Sequence, residues 1–215
     1  MQEIDFQRIK QQNEQVILAH GGEICDWLPV LDGNASIRNV NCVARRALVL
    51  NAMLQIAFNA PIAIVRQWIS DNGLDGTLSH SERAVLAKAN EELTQQERTD
   101  LYWSIEALWA LAWVTGKIDH LAFNEPVGPG LASLMPKLQV NESGNAFLNL
   151  AKLRSGEELI RMTDLYSRLH WWTRTVQLHG QPSGDVSMDI IMERRKALEW
   201  VINDNESWDD VELST

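Results

Sequence analysis

The chain has only two cysteines, Cys25 and Cys42, and they form no Cys-x-x-Cys pair. They supply neither a disulfide framework nor a zinc ligand set, and they suit a reducing cytoplasm. No apolar run approaches the roughly 18–20 residues that span a bilayer. The start, Met-Gln-Glu-Ile-Asp-Phe-Gln-Arg, lacks the basic and apolar regions of a secretory signal. A cytoplasmic protein without membrane contact is therefore expected. Basic residues are short as well: 19 Lys and Arg stand against 29 Asp and Glu, for a formal net charge of -10. Binding a nucleic-acid backbone needs clustered cations that displace counterions, so nucleic acid is not an expected partner. A Gly-x-Ser-x-Gly elbow, a Walker loop and a dinucleotide fingerprint are missing too; Gly128-Pro129-Gly130 follows no strand. Alternating strand patterns are almost wholly lacking.

What is present is helical periodicity and tryptophan. The 215 residues fit one domain with a substantial core. Nine tryptophans are an excess that serves core packing or stacking on a ligand or partner. Residues 3–20 read as an amphipathic helix stopped by Gly21-Gly22, and Cys25 to Asn39 as an irregular strap with a turn at Asp32-Gly33-Asn34 and room for a short strand. A helix follows over about 41–58, on a Val43, Ala47, Leu50, Leu54 seam, and Pro61 opens another that stops at Asn72-Gly73. Capping boxes at Ser79 to Glu82 and Thr94 to Glu97 predict helices to about Glu92 and Thr115. The segment 121–144, with Pro126, Pro129 and Pro136, is the most loop-like. Helices resume over about 143–154 and Gly156 to Leu178, and the last runs to about Asn203, with Asp185 as its N-cap. The expected fold is all-α: a single-domain, non-repetitive bundle of about seven to nine helices. It comprises an N-terminal helix and strap over 1–40, a helical core over 41–203 and an acidic tail over 204–215. No internal repeat stands out.

Unusual chemistry concentrates at Asp164-Leu165-Tyr166-Ser167-Arg168-Leu169-His170-Trp171-Trp172. At helical spacing Leu165, Leu169, Trp172 and Val176 form a core stripe, with Asp164, Arg168 and Trp171 along its border and Tyr166 and His170 on the other flank. Elsewhere Glu106 shares a face with Trp109 and Trp113, where a lone buried carboxylate is costly unless an arginine pairs with it; Arg46, Arg168 and Arg194 are the candidates.

Five segments recur to the eye as a set: Arg45-Arg46-Ala47-Leu48-Val49-Leu50, Glu106-Ala107-Leu108-Trp109-Ala110-Leu111-Ala112-Trp113, Asp164-Leu165-Tyr166 with His170-Trp171, Glu193-Arg194-Arg195 with Ala197-Leu198-Glu199-Trp200, and Trp208-Asp209-Asp210-Val211. Their order resembles the uncharacterised bacterial domain-of-unknown-function family 4272, over about Leu28 to Thr215. The resemblance implies a helical domain and a set of signature positions, and it implies no activity. Where that family often has Glu-Arg-His, this chain has Glu193-Arg194-Arg195, so a mechanism that needs a histidine at position 195 is not expected.

The candidate cluster is therefore Arg46, Glu106, Trp109, Trp113, Asp164, Arg168, His170, Trp171, Glu193, Arg194, Trp208 and Asp209. One reading is a buried ion-pair and hydrogen-bond network that sets helix register. The other is a small-molecule pocket lined by the indoles and closed by the 121–144 loop. A metal site is not expected, because the carboxylate–x–x–histidine spacing of helical metal bundles is missing: Asp164 and His170 lie six residues apart. No cofactor is expected either. Two functions follow from these alternatives: a non-catalytic protein-binding or regulatory protein of the toxin-neutralising kind, or a hydrolase or transferase with Glu106 or Glu193 as general base. The sequence sets no oligomeric state.

Overall fold

The computed structural model describes residues 4–31 and 35–214; the turn expected at Asp32-Gly33-Asn34 lies outside them. Among the described residues there are nine α-helices, three 3-10 turns and no strand. The helices are α1 (Phe6–Ala19), α2 (Val40–Ala57), α3 (Ile62–Asp71), α4 (His80–Leu86), α5 (Gln95–Val114), α6 (Leu131–Leu134), α7 (Asn145–Leu150), α8 (Gly156–Leu178) and α9 (Met188–Ile202). None of them is long and apolar enough to cross a membrane.

Local chemistry explains most boundaries. Ser79, Thr94 and Ser155 each form a full capping box with the glutamate three residues on, and Asp5 and Asn39 cap α1 and α2 with their side chains. Several boundaries differ from expectation: α7, expected over about 143–154, spans only Asn145–Leu150, and the loop-like 121–144 segment carries the short α6. α4 ends at Leu86 instead of continuing to Glu92, because Asn90 is drawn to the start of α3: its side chain accepts from the Ile62 N–H (3.0 Å) and donates to Ala60 O (3.1 Å). The cap of α9 is Ser187, not Asp185, whose carboxylate instead accepts from His20 (2.7 Å) and Asn124 (3.0 Å).

The core is a row of four helices: α2 packs on α5, α5 on α9 and α9 on α8, with α3 outside α2 and α1 outside α8. α2 is buried on nearly every side, from Val43 through Ile56. α8 is buried on both flanks of its apolar stripe, since Tyr166, His170 and Thr173 are enclosed along with Leu169 and Trp172.

The C-terminal ends of the two central helices, α9 and α5, are closed by one device used twice. At the end of α9, the Ser36 and Arg38 N–H groups donate to Ile202 O (2.8 Å) and Val201 O (2.9 Å). Arg38 Nε donates to Trp200 O (2.6 Å), and its guanidinium lies 4.1 Å from the Trp200 ring centroid. At the end of α5, the Lys152 and Arg154 N–H groups donate to Thr115 O and Val114 O, both at 3.1 Å. Arg154 Nε donates to Trp113 O (2.9 Å), and its guanidinium lies 4.6 Å from the Trp113 ring. Each arginine satisfies carbonyls that a helix end leaves orphaned, and places a cation at the negative pole of the helix. The next residue, Asn39 or Ser155, then caps α2 or α8. The sequence basis is Ala-x-(Ile or Leu)-Arg-(Asn or Ser) at 35–39 and 151–155, and Glu-x-x-x-Ala-Leu-x-Trp-Val at 106–114 and 193–201. Exchanging α5 with α9 and α2 with α8 maps the packing order onto itself.

Candidate functional site

The signature residues do not converge on one point; the fold sorts them into four groups. In the first, Glu106 is 2 % exposed on α5 and takes Arg194 of α9 through Nε (2.9 Å) and Nη2 (2.7 Å). Its other oxygen accepts from the Val127 N–H at 3.0 Å. Arg194 also donates to Tyr166 Oη (3.1 Å), to Glu125 O (2.8 Å) and to Ala122 O. Every charge here is answered, which is what burial demands. Burial pushes the Tyr166 hydroxyl up to about 12, against the opposing pull of Arg194. Trp113 is enclosed nearby, whereas Trp109 is half-buried beneath the loop at Gly128.

The second and third groups flank α8. Asp164 holds Arg168 bidentately (2.8 and 2.9 Å) and accepts from Asn13 (2.9 Å), while Arg168 reaches Glu14 and Pro29 O. His170, 2 % exposed, accepts at Nδ1 from Arg195 (2.7 Å), which also bonds Glu199 (3.2 Å) and Ser214 O. Burial, helped by Arg195 and Arg174, lowers the His170 pKa to about 4, so the ring is neutral at pH 7 and its Nδ1 is free to accept. Arg195 thus acts as a donor to His170. A second cavity of about 340 Å3 lies between the strap at Trp27–Leu31 and this region, but its guanidiniums, Arg168 and Arg195, already hold carboxylates. Trp171 is half-buried and sits beside the strap residues Ile24, Cys25 and Leu28.

The fourth group surrounds a cavity of about 470 Å3 between α2, α4, α5, α9 and the C-terminal tail. Arg46, 1 % exposed, donates to Thr77 O (3.1 Å) and to Glu82, the same glutamate that closes the capping box of α4. Its guanidinium stands 4.6 Å from the Trp208 ring, which meets Trp200 edge-on and carries Lys196 at 5.1 Å. Asp209 accepts from the Ser81 N–H (2.9 Å) and hydroxyl (2.8 Å). Trp208 and Asp209 therefore fasten the tail to the body. Burial alone would raise the Asp209 pKa, but the Ser81 and Ser79 hydrogen bonds and Lys196 outweigh it and hold the carboxyl below its usual value.

The cavity has an apolar side of Leu50, Met53, Val85 and Leu101 and an acidic side of Glu82, Glu97, Asp100, Glu193 and Asp209, with Lys196 as its one cationic lining residue. The Glu97 pKa is lowered to about 2 by Lys88 and then Thr94, so that carboxylate is answered. Glu193 is not. Among the described residues it has no hydrogen bond or ion pair, and burial, reinforced by Asp100, Asp189 and Glu106, raises its pKa in spite of Lys196.

The sequence matches the family described as Domain of unknown function (DUF4272) over residues 9–211. The chain belongs to that family. No curated protein and no solved structure matches it. The four groups above thus give a DUF4272 chain a physical account of its signature residues: Glu106, Arg194, Asp164 and Arg168 tie helices together, and Glu193, Trp208 and Asp209 line a cavity. Reading the sequence missed Arg38 and Arg154, although an arginine just before each helix cap was the available signal. It also missed Ser81, Asp100 and Lys196 as cavity residues, since nothing local marks them.

Proposed function

We propose that this protein is a non-catalytic binding protein whose acidic cavity receives a basic segment of a partner protein. The observation that carries the reading is Glu193, an uncompensated carboxylate beside Asp100 and Asp209 in an open cavity with an apolar wall. A cation seated there would restore the compensation that every other buried carboxylate of the signature already has. The net charge of -10 favours encounter with a basic partner by long-range steering.

The raised pKa of Glu193 also suits a general base, the reading of the chain as a hydrolase or transferase. Two details weigh against it. The cavity hydroxyls are engaged, Ser81 with Asp209 (2.8 Å) and Ser104 with Leu101 O (2.6 Å). The other candidate base, Glu106, is sealed behind Arg194 and the Val127 N–H. A cytoplasmic setting, as the cysteine usage suggests, fits a regulatory role of this kind.

The test is quantitative capture from the native cell with immobilised wild type and with the Asp100→Lys, Glu193→Lys double variant. The expected result is a partner held by wild type, released at about 0.5 M salt, and lost on charge reversal. Identical capture by both proteins overturns the reading.

A further inference from the structure

The repeated helix ends allow a comparison between two places in the protein that correspond. Glu106 and Glu193 occupy the same position in the Glu-x-x-x-Ala-Leu-x-Trp-Val segments of α5 and α9. Tyr166 on α8 and Leu50 on α2 also correspond, each eleven residues past its helix cap (155 to 166, 39 to 50). Around Glu106 and Tyr166 the protein seats its own guanidinium, that of Arg194. Around Glu193 and Leu50 it has the cavity. The residue on α5 that corresponds to Arg194 is Ala107, one position after Glu106 as Arg194 is one after Glu193. Where one half of the molecule carries an arginine, the other has a methyl group, an unanswered carboxylate and open space.

We propose that the cavity is a guanidinium site, which seats one arginine side chain of the partner protein on the Glu193 carboxylate as Glu106 seats Arg194 within the fold. This rests on the reading that the cavity takes a cation from a partner, and it names the group. A guanidinium presents a planar fork of N–H donors to a carboxylate, and Arg194 brings both Nε and Nη2 onto the one Oε2 oxygen of Glu106. Its weak hydration and long apolar stem suit a wall of Leu50, Met53 and Leu101 better than a compact, strongly hydrated ammonium does. Replacement of Tyr166 by Leu50 removes a polar partner and leaves apolar surface for that stem. Lys196 does not fill the site: its amine lies over Trp208 and makes no ion pair among the described residues.

The experiment is a titration of the full-length, 15N-labelled protein with N-acetyl-arginine amide and, separately, N-acetyl-lysine amide, two probes of equal charge. Backbone signals of Leu50, Leu101 and Glu193 and the Trp208 indole report the cavity. The arginine probe is expected to bind about tenfold more tightly than the lysine probe, the ratio that one additional well-formed charged hydrogen bond gives. Glu193→Gln should weaken the arginine probe to the level of the lysine probe, with signals outside the cavity unmoved to show that the variant is folded. Equal binding of the two probes, both dependent on Glu193, overturns the guanidinium assignment and leaves the cation reading standing. Arginine binding that survives Glu193→Gln overturns Glu193 as the seat. Failure of both probes to move any cavity signal overturns this proposal and the cation reading together.

Discussion

Glu106 and Glu193 hold one position in two related helix segments, yet one is fully paired and the other has no hydrogen-bond or ion-pair partner among the described residues. Glu106 has two N–H bonds from Arg194 and one from the backbone of Val127. Glu193 has none among the described residues and pays in a raised pKa. The local sequence around each is alike, so the difference comes from what the neighbouring helix and loop bring. Where α9 supplies an arginine and the 121–127 loop its backbone, the carboxylate becomes a structural tie. Where α5 supplies Ala107 and α4 stands off, it borders a cavity. A repeated helix pair can in this way serve stability at one copy and recognition at the other.

The sharpest way to break the comparison is at its buried member. Glu106→Ala should strand Arg194 without a counter-charge and cost about 3–5 kcal/mol, the usual penalty for removing one partner of a buried pair. Urea unfolding measures it. A loss below about 1 kcal/mol would mean that water reaches Arg194 and that the two glutamates differ less than their surroundings suggest.

The twin helix ends make the next test. Arg38→Ala and Arg154→Ala each remove one hydrogen bond to a helix-end carbonyl, at least one more to a carbonyl just past the helix, and a stacking contact on a tryptophan. Each should cost about 2 kcal/mol, given roughly 1–3 for a hydrogen bond to a charged group less what water restores. Equal shifts in the urea midpoint would support one device used twice; costs that differ by more than about 1.5 kcal/mol would show that only one end bears on global stability.

The smallest effect has the opposite sign. The folded-state pKa of Glu193 lies above its unfolded value, so protonation favours the fold: the stability is full below the unfolded pKa and is lost as pH rises through the folded one. At pH 7 the ionised carboxylate is therefore a cost. Glu193→Gln should therefore stabilise the protein slightly at pH 7, with the gain vanishing near pH 4. Thermal melts at the two values check it, and a destabilised variant at pH 7 would place a cation on Glu193 in the free protein.

Much of the fold was legible because its signals are local. The capping boxes at Ser79 and Thr94, the Asn72-Gly73 stop and the period of apolar residues mark α2, α3, the start of α4, α5 and α8 within a residue or two. Two boundaries that went astray, at Leu86 and Ser187, were set by distant partners of Asn90 and Asp185. The site was less legible. Glu106 was expected to find an arginine, and the sequence left three candidates; only the meeting of α5 with α9 selects Arg194. The cluster expected as one group separates into four because α8 presents its two flanks to different neighbours: Tyr166 to Arg194, Asp164 to α1 and the strap.

Composition and periodicity alone determined an acidic, all-α chain, since hydrophobic spacing and helix capping act within a few residues and need no tertiary partner. Which carboxylates are answered was decided by the tertiary structure. A buried charge is stable or costly according to what lies within about 3–4 Å of it: Glu106 and Asp209 are answered from 88 and 128 residues away in the chain, and Glu193 has no such partner among the described residues.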